Sequence, residues 1–193
     1  MNPLKKLHAE QDQAVWLDFV ARGFVQEGGL KRLVEEDGLR GVTSNPAIFE
    51  KAIGHSDEYD DALKRAKLAA KAGVIKGVLW HQGEADTVKQ GDAESYEARL
   101  ARMFKDLRAD LKQPELPIVV GQLGDFLSET PEKNPHAETV RAALKHVPQA
   151  VPNVGFADSA GLNHKGDKLH FNAEGAKELG IRYSKAMQQI QKP

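Results

Sequence analysis

The chain has 193 residues, with 27 Lys and Arg against 28 Asp and Glu and no cysteine. That near-neutral balance supplies no basic stripe for nucleic acid, and the missing cysteines exclude disulfides, thiolate metal sites and a cysteine nucleophile. No apolar run reaches the roughly 18 residues a membrane span needs. The length fits one domain, or two very small ones; one domain over 1–193 is expected, able to bury roughly two-thirds of its unfolded surface. The opening MNPLKKLHAEQDQ has basic residues but no apolar stretch, so the expectation is a cytoplasmic chain without a secretory leader. Charge divides unevenly: residues 1–62 carry 7 bases and 12 acids, residues 63–193 carry 20 and 16.

In chain order, Asn2-Pro3 reads as a helix start. Ala14 to Leu17 is a short continuous apolar run, as a strand covered on both faces should be. Gly28-Gly29 breaks the chain, and Leu30, Leu33 and Val34 mark a helix face that Gly38 stops. Leu39 to Thr43 reads as a second strand running into Ser44-Asn45-Pro46. A helix is predicted over 57–72 and a third strand over Gly77–Trp80. Tyr96, Leu100, Met103, Phe104, Leu107 and Leu111 follow the helical period. Pro117–Gly121 is a fourth strand, with proline tolerated at its first position. Residues 128–135 read as the most mobile surface loop. Val140, Ala143, Leu144 and Val147 make a helix face, Val154–Ala157 a fifth strand, and Ala173 to Ile190 a last helix. Five alternations of strand and helix predict an α/β three-layer fold around an open parallel five-stranded sheet, too few strands to close a barrel.

Open parallel sheets bind ligands beyond the carboxyl ends of their strands. The polar residues there are Asp18, then Ser44 and Asn45, then His81, Gln82, Gly83, Glu84 and Asp86, with a Gly166–Asn172 loop before the last helix. A serine hydrolase is one reading. Ser44 at a strand-to-helix turn would be the nucleophile, His170 the base, Asp167 its orienting acid, and Gln82 with the Gly83 backbone the oxyanion donors. The alternatives are local: a cap hydroxyl for Ser44, a turn cap for Asp167, a satisfied histidine at 170, and N-terminal helix acids at Glu84 and Asp86. Strand alternation puts Ser44 on the opposite face from Thr43 and Asn45. It also points His81 and Gln82 to opposite faces, which argues against a metal shared by His81, Glu84 and Asp86. No phosphate loop is present, so no metal and no cofactor is expected. Trp16 and Trp80 are predicted core.

Two longer patterns go further. NPLKKLHAEQDQAVWLDF and DGLRGVTSNPAIFEKAIGHSDEYDDAL, within residues 2–61, resemble the N-terminus of transaldolase, a β/α barrel that works through a Schiff base. The resemblance implies that Asp18 matches the family's acid–base aspartate and Asn45 an active-site asparagine. It covers only the first two strands and not the strand bearing the Schiff-base lysine, so transaldolase activity is not expected. From about residue 63, IKGVLWHQGEAD, LPIVVGQLGDFL, VGFADSAGL and GDKLHFNAEGAKELGIRY resemble the sialate O-acetylesterase and acetylxylan esterase group of SGNH hydrolases. That resemblance implies a flavodoxin-like sheet and serine-based removal of acetyl groups from carbohydrate. His170 and Asp167 match its DxxH element and Gln82 its oxyanion side chain, with Glu84 in the same block. The family's Gly-Gln-Ser-Asn start is replaced by the transaldolase-like segment, which offers Thr43-Ser44-Asn45.

The expectation is therefore a recombinant chimera, transaldolase-like over 1–62 and esterase-like over 63–193. Its first two strands would be a β/α-barrel fragment, and it would have little or no catalysis and no evolved function. The alternative is a carbohydrate O-acetylesterase in which Ser44 replaces the family nucleophile. The expected partner is a small acetylated carbohydrate, with no nucleic acid and no membrane; the oligomeric state is open.

Overall fold

The apolar runs become strands and the periodic segments become helices. The computed structural model describes residues 5, 10, 15–17, 29–37, 39–42, 63–64, 66–71 and 73–191. The chain divides into two units, Met1–Ile75 and Lys76–Pro193.

In the first unit, β1 (Val15–Leu17) pairs in parallel with β2 (Leu39–Val42), with a register shift between Val15 and Trp16. Between them α1 (Gly29–Glu36) starts at the glycine pair, and Asp37 N–H closes on Leu33 O at 3.1 Å. Parallel neighbours need such a crossover. Residues 63–64 and 66–69 are helical, inside the predicted 57–72 span, and Leu63 is buried.

In the second unit, β3 (Val78–Trp80), β4 (Ile118–Gly121) and β5 (Val154–Ala157) form a parallel sheet in sequential order. Trp80 sits beside Val120, and Val120 beside Phe156. The helices are α2 (Gln90–Asp110), α3 (Ala137–Ala150) and α4 (Ala173–Ile190). Ile118, Val119 and Val120 are fully buried, which explains why β4 reads as an unbroken apolar run. Val119 and Ala157 pack with Leu179, Tyr183 and Ala186 of α4. On the other face, Trp80 packs edge-on against Phe104 of α2, with ring centroids 5.9 Å apart, and α2 lies against α3. These are the three α/β layers. Among the described residues the strands pair as a two-stranded and a three-stranded parallel sheet.

The 128–135 loop, read as mobile, is tied down. Thr87 Oγ1 lies 2.8 Å from Asn134 Oδ1, Asn134 Nδ2 donates to Thr130 Oγ1 at 3.0 Å, and His136 N–H donates to Thr87 O at 2.9 Å.

Candidate active site

The loop before α4 is built as a small closed turn. Asn172 N–H donates to Asn163 O, Lys165 N–H donates to His170 O, and His164 bridges Phe171 in antiparallel fashion. Inside it, Asp167 Oδ1 accepts the N–H groups of Leu169 (3.0 Å) and His170 (2.9 Å). This is the local hydrogen bonding that makes Asp a turn former. Its second oxygen lies 2.7 Å from His170 Nδ1. The His170 backbone and ring donors, then Leu169 N–H and the Lys165 ammonium, hold the Asp167 carboxyl well below the usual carboxylate range. An ionised Asp167 makes Nδ1 of His170 the donor, so in the neutral imidazole Nε2 is the nitrogen that carries the lone pair. The His170 side chain is 61% exposed. Phe171, the next residue, packs on Phe126 (5.1 Å) and His81 (5.7 Å), and Asn172 caps α4 by accepting from Gly175 N–H at 2.7 Å. The dyad thus sits on a segment anchored on both sides.

His81 follows β3 and turns toward α4. Tyr183 donates its hydroxyl to Trp80 O at 2.6 Å, and His81 Nδ1 lies 3.1 Å from the same hydroxyl oxygen. The imidazole is therefore the donor there, and its Nε2 faces Glu84 Oε1 at 3.9 Å. Burial pushes the His81 pKa below 6.5, with Glu84 opposing. Burial also raises the Tyr183 and Tyr96 phenols, so both remain hydroxyl donors.

Gln82 turns the other way, toward α2, as strand alternation predicts. It is buried, and its Nε2 donates to Asp86 Oδ2 at 2.8 Å. Tyr96 donates to Gln82 O at 2.6 Å and reaches Gln82 Oε1 at 3.1 Å. Gly83 has φ +143°, and a Cβ there would lie 2.9 Å from Val140 Cγ1 and 3.1 Å from Tyr96 Oη. Only glycine makes this turn without strain. Asp86 also pairs with Arg99 at 2.6 Å.

The structure brings His170 and Asp167 together and sets Glu84 beside His81. Gln82 and Gly83 lie at the end of β3, and Asp18, Ser44 and Asn45 lie outside the described residues. Sequence reasoning missed the Asp86–Arg99 pair, whose spacing of 13 on different elements leaves no periodic signal. It also missed the hydroxyl role of Tyr96, which the helical period marks only as core. Among the described residues, no group of three or more His, Cys, Asp or Glu could hold a metal ion.

A family model described as carbohydrate esterase, sialic acid-specific acetylesterase, matches residues 43–189. A "Probable carbohydrate esterase" of Arabidopsis thaliana is 31% identical over 175 residues, covering 86% of this chain and 63% of its own length. That share exceeds what residues 63–193 supply, so the esterase likeness runs into the segment that also resembles transaldolase. Transaldolase 2 of a Nostoc species is 53% identical over 51 residues, 26% of this chain and 13% of that protein. These transaldolase likenesses lie in a short N-terminal part. The solved structure of the Arabidopsis protein superposes with a TM-score of 0.68 at 31% identity, over 79% of this chain and 62% of the other. A carbohydrate acetylesterase from Xanthomonas citri shares the fold, with a TM-score of 0.55 at 20% identity over 86% and 41% of the two chains.

Proposed function

Because the chain belongs to the sialic acid-specific acetylesterase family of carbohydrate esterases, we propose that it hydrolyses acetyl esters of a small carbohydrate. The observation that carries this reading is the Asp167–His170 contact of 2.7 Å, made by a histidine whose side chain is 61% exposed. In the proposed reaction Nε2 takes the proton of a serine hydroxyl as its oxygen bonds to the acetyl carbon. The carbon–oxygen bond to the sugar then breaks, and His170 returns the proton to the leaving oxygen. Water hydrolyses the acyl-enzyme by the same base. Ser44 is the proposed nucleophile; it falls within the matched residues 43–189. The second amide hydrogen of Gln82 and the Gly83 N–H are the proposed oxyanion donors, and Glu84, Asn45 and Asp18 the proposed substrate contacts.

A second reading is a recombined chain with little catalysis. It is favoured by the transaldolase likeness of a short N-terminal part; the chain spans about 63% of the Arabidopsis esterase's length. It keeps the expectation of one domain over 1–193 with a five-stranded sheet whose first two strands come from a barrel fragment.

Hydrolysis of an aryl acetate separates the two readings. The chain should exceed background; Ser44→Ala and His170→Ala should each lower kcat by about 10⁶ and Asp167→Asn by about 10⁴. Asp167→Asn acts by losing the tautomer lock on the imidazole. Rates for all four proteins equal to a protein-free control would overturn the esterase reading and leave the second. Loss with His170→Ala but not Ser44→Ala would remove Ser44 from the mechanism.

A further inference from the structure

We infer that Asp86, charge-balanced by Arg99, is a positioning residue that aims the Gln82 side-chain amide at a developing oxyanion. This deepens, and rests on, the esterase reading above.

A glutamine side chain has three rotatable bonds and is a poor oxyanion donor unless it is held. Gln82 is held through its amide nitrogen, with the Tyr96 hydroxyl packed beside the amide oxygen. Nε2 donates to Asp86 Oδ2 at 2.8 Å, and Oε1 lies 3.1 Å from the Tyr96 hydroxyl. A carboxylate accepts only, so the contact also decides which amide atom is nitrogen. One Nε2 hydrogen is taken by Asp86; the other has no acceptor among the described residues. Asp86 itself is fixed. It belongs to the Ala85–Thr87 turn, whose Thr87 hydroxyl donates to Glu84 O at 2.6 Å.

Charge gives Arg99 its part. A bare carboxylate 2.8 Å from the donor nitrogen would oppose an anion forming on that nitrogen's other hydrogen. The Asp86 side chain is only 9% exposed, so water screens it little. Arg99 Nη2 lies 2.6 Å from Asp86 Oδ1 and cancels that field at its source. Arg99 is in turn held by Ser95 Oγ at 3.1 Å and Asp92 O at 2.9 Å. The chain Arg99, Asp86, Gln82 therefore delivers an oriented donor without a net negative charge behind it, the preorganisation an oxyanion site requires.

The test uses the full chain, with aryl acetate kinetics and the ¹H–¹⁵N resonances of side-chain amides, the Gln82 pair being assigned from its loss in Gln82→Ala. Asp86→Ala should lower kcat about 10- to 100-fold with KM within about threefold. Asp86→Asn keeps an acceptor and should fall between. Arg99→Gln should lower kcat comparably by leaving the carboxylate uncompensated. In a Gln82→Ala background Asp86→Ala should cost nothing further, and in the parent it should shift the Gln82 amide resonances. Exposed Arg102→Gln on the same helix should do neither. Should Asp86→Ala fail to fold, Asp86→Asn carries the same comparisons. An Asp86 effect undiminished by Gln82→Ala, or Gln82 resonances indifferent to Asp86, would overturn the inference. A parent chain no faster than background would instead overturn the esterase reading, and the Gln82 resonances still decide the positioning.

Discussion

Replacing Gly83 by alanine probes how the turn after β3 holds its shape. The φ of +143° lies where L side chains rarely go, which costs about 1–3 kcal/mol. The new Cβ would stand 2.9 Å from Val140 Cγ1, 3.1 Å from Tyr96 Oη and 3.3 Å from Tyr96 Cζ. Val140 is a β-branched side chain with no exposure, and Tyr96 is fully buried and bonded to Gln82 O, so neither yields cheaply. Overpacking of this kind costs about 1–3 kcal/mol. The two effects together predict a loss of about 2–6 kcal/mol, a large part of the 5–15 kcal/mol typical of a domain. Equilibrium unfolding in urea, with the parent's m-value retained, measures it. Gly180→Ala gives the opposite sign. That glycine is exposed within α4 with nothing within 4 Å of the new carbon, so alanine should stabilise by about 0.5–1 kcal/mol. A Gly83→Ala chain within about 1 kcal/mol of the parent would refute the steric reasoning.

Two further outcomes follow from buried groups. Burial holds the His81 pKa below its ordinary 6.5, so as pH falls the unfolded chain takes up this proton first. Stability should be full above pH 6.5 and decline below it. Melting temperatures at pH 7.5 and 5.5 should show the decline, and His81→Gln should flatten it; an unchanged slope would remove His81 as its source. Arg108 is buried and donates to Leu116 O (3.0 Å), Pro152 O (2.8 Å) and Asn153 O (2.9 Å), tying the entries to β4 and β5 together. Arg108→Met should cost about 3–5 kcal/mol in urea unfolding. Arg108→Lys should recover only part of it, because an ammonium lacks the planar fork.

Much of this molecule is decided locally, and so is legible in its sequence. β4 is an unbroken apolar run because both faces are covered, and α2 shows its period because Tyr96, Leu100, Met103 and Phe104 all turn to the sheet. The Asp167–His170 pair is likewise a matter of spacing. Two intervening residues let one carboxylate accept the turn N–H groups and still reach the ring. The opposite facing of His81 and Gln82 follows from strand alternation alone. Partners distant in the chain were settled only by the tertiary structure. His81 meets Tyr183, 102 residues away, and that contact chooses its tautomer. Asp86 looks like an ordinary acid at a helix start, yet packing buries it between Gln82 and Arg99. Phe126 and Phe171, far apart in the chain, meet with ring centroids 5.1 Å apart. Which strands share a sheet is decided in the same way. Any of these parallel strands can pair with any other, and only the helices that cover them select the neighbours.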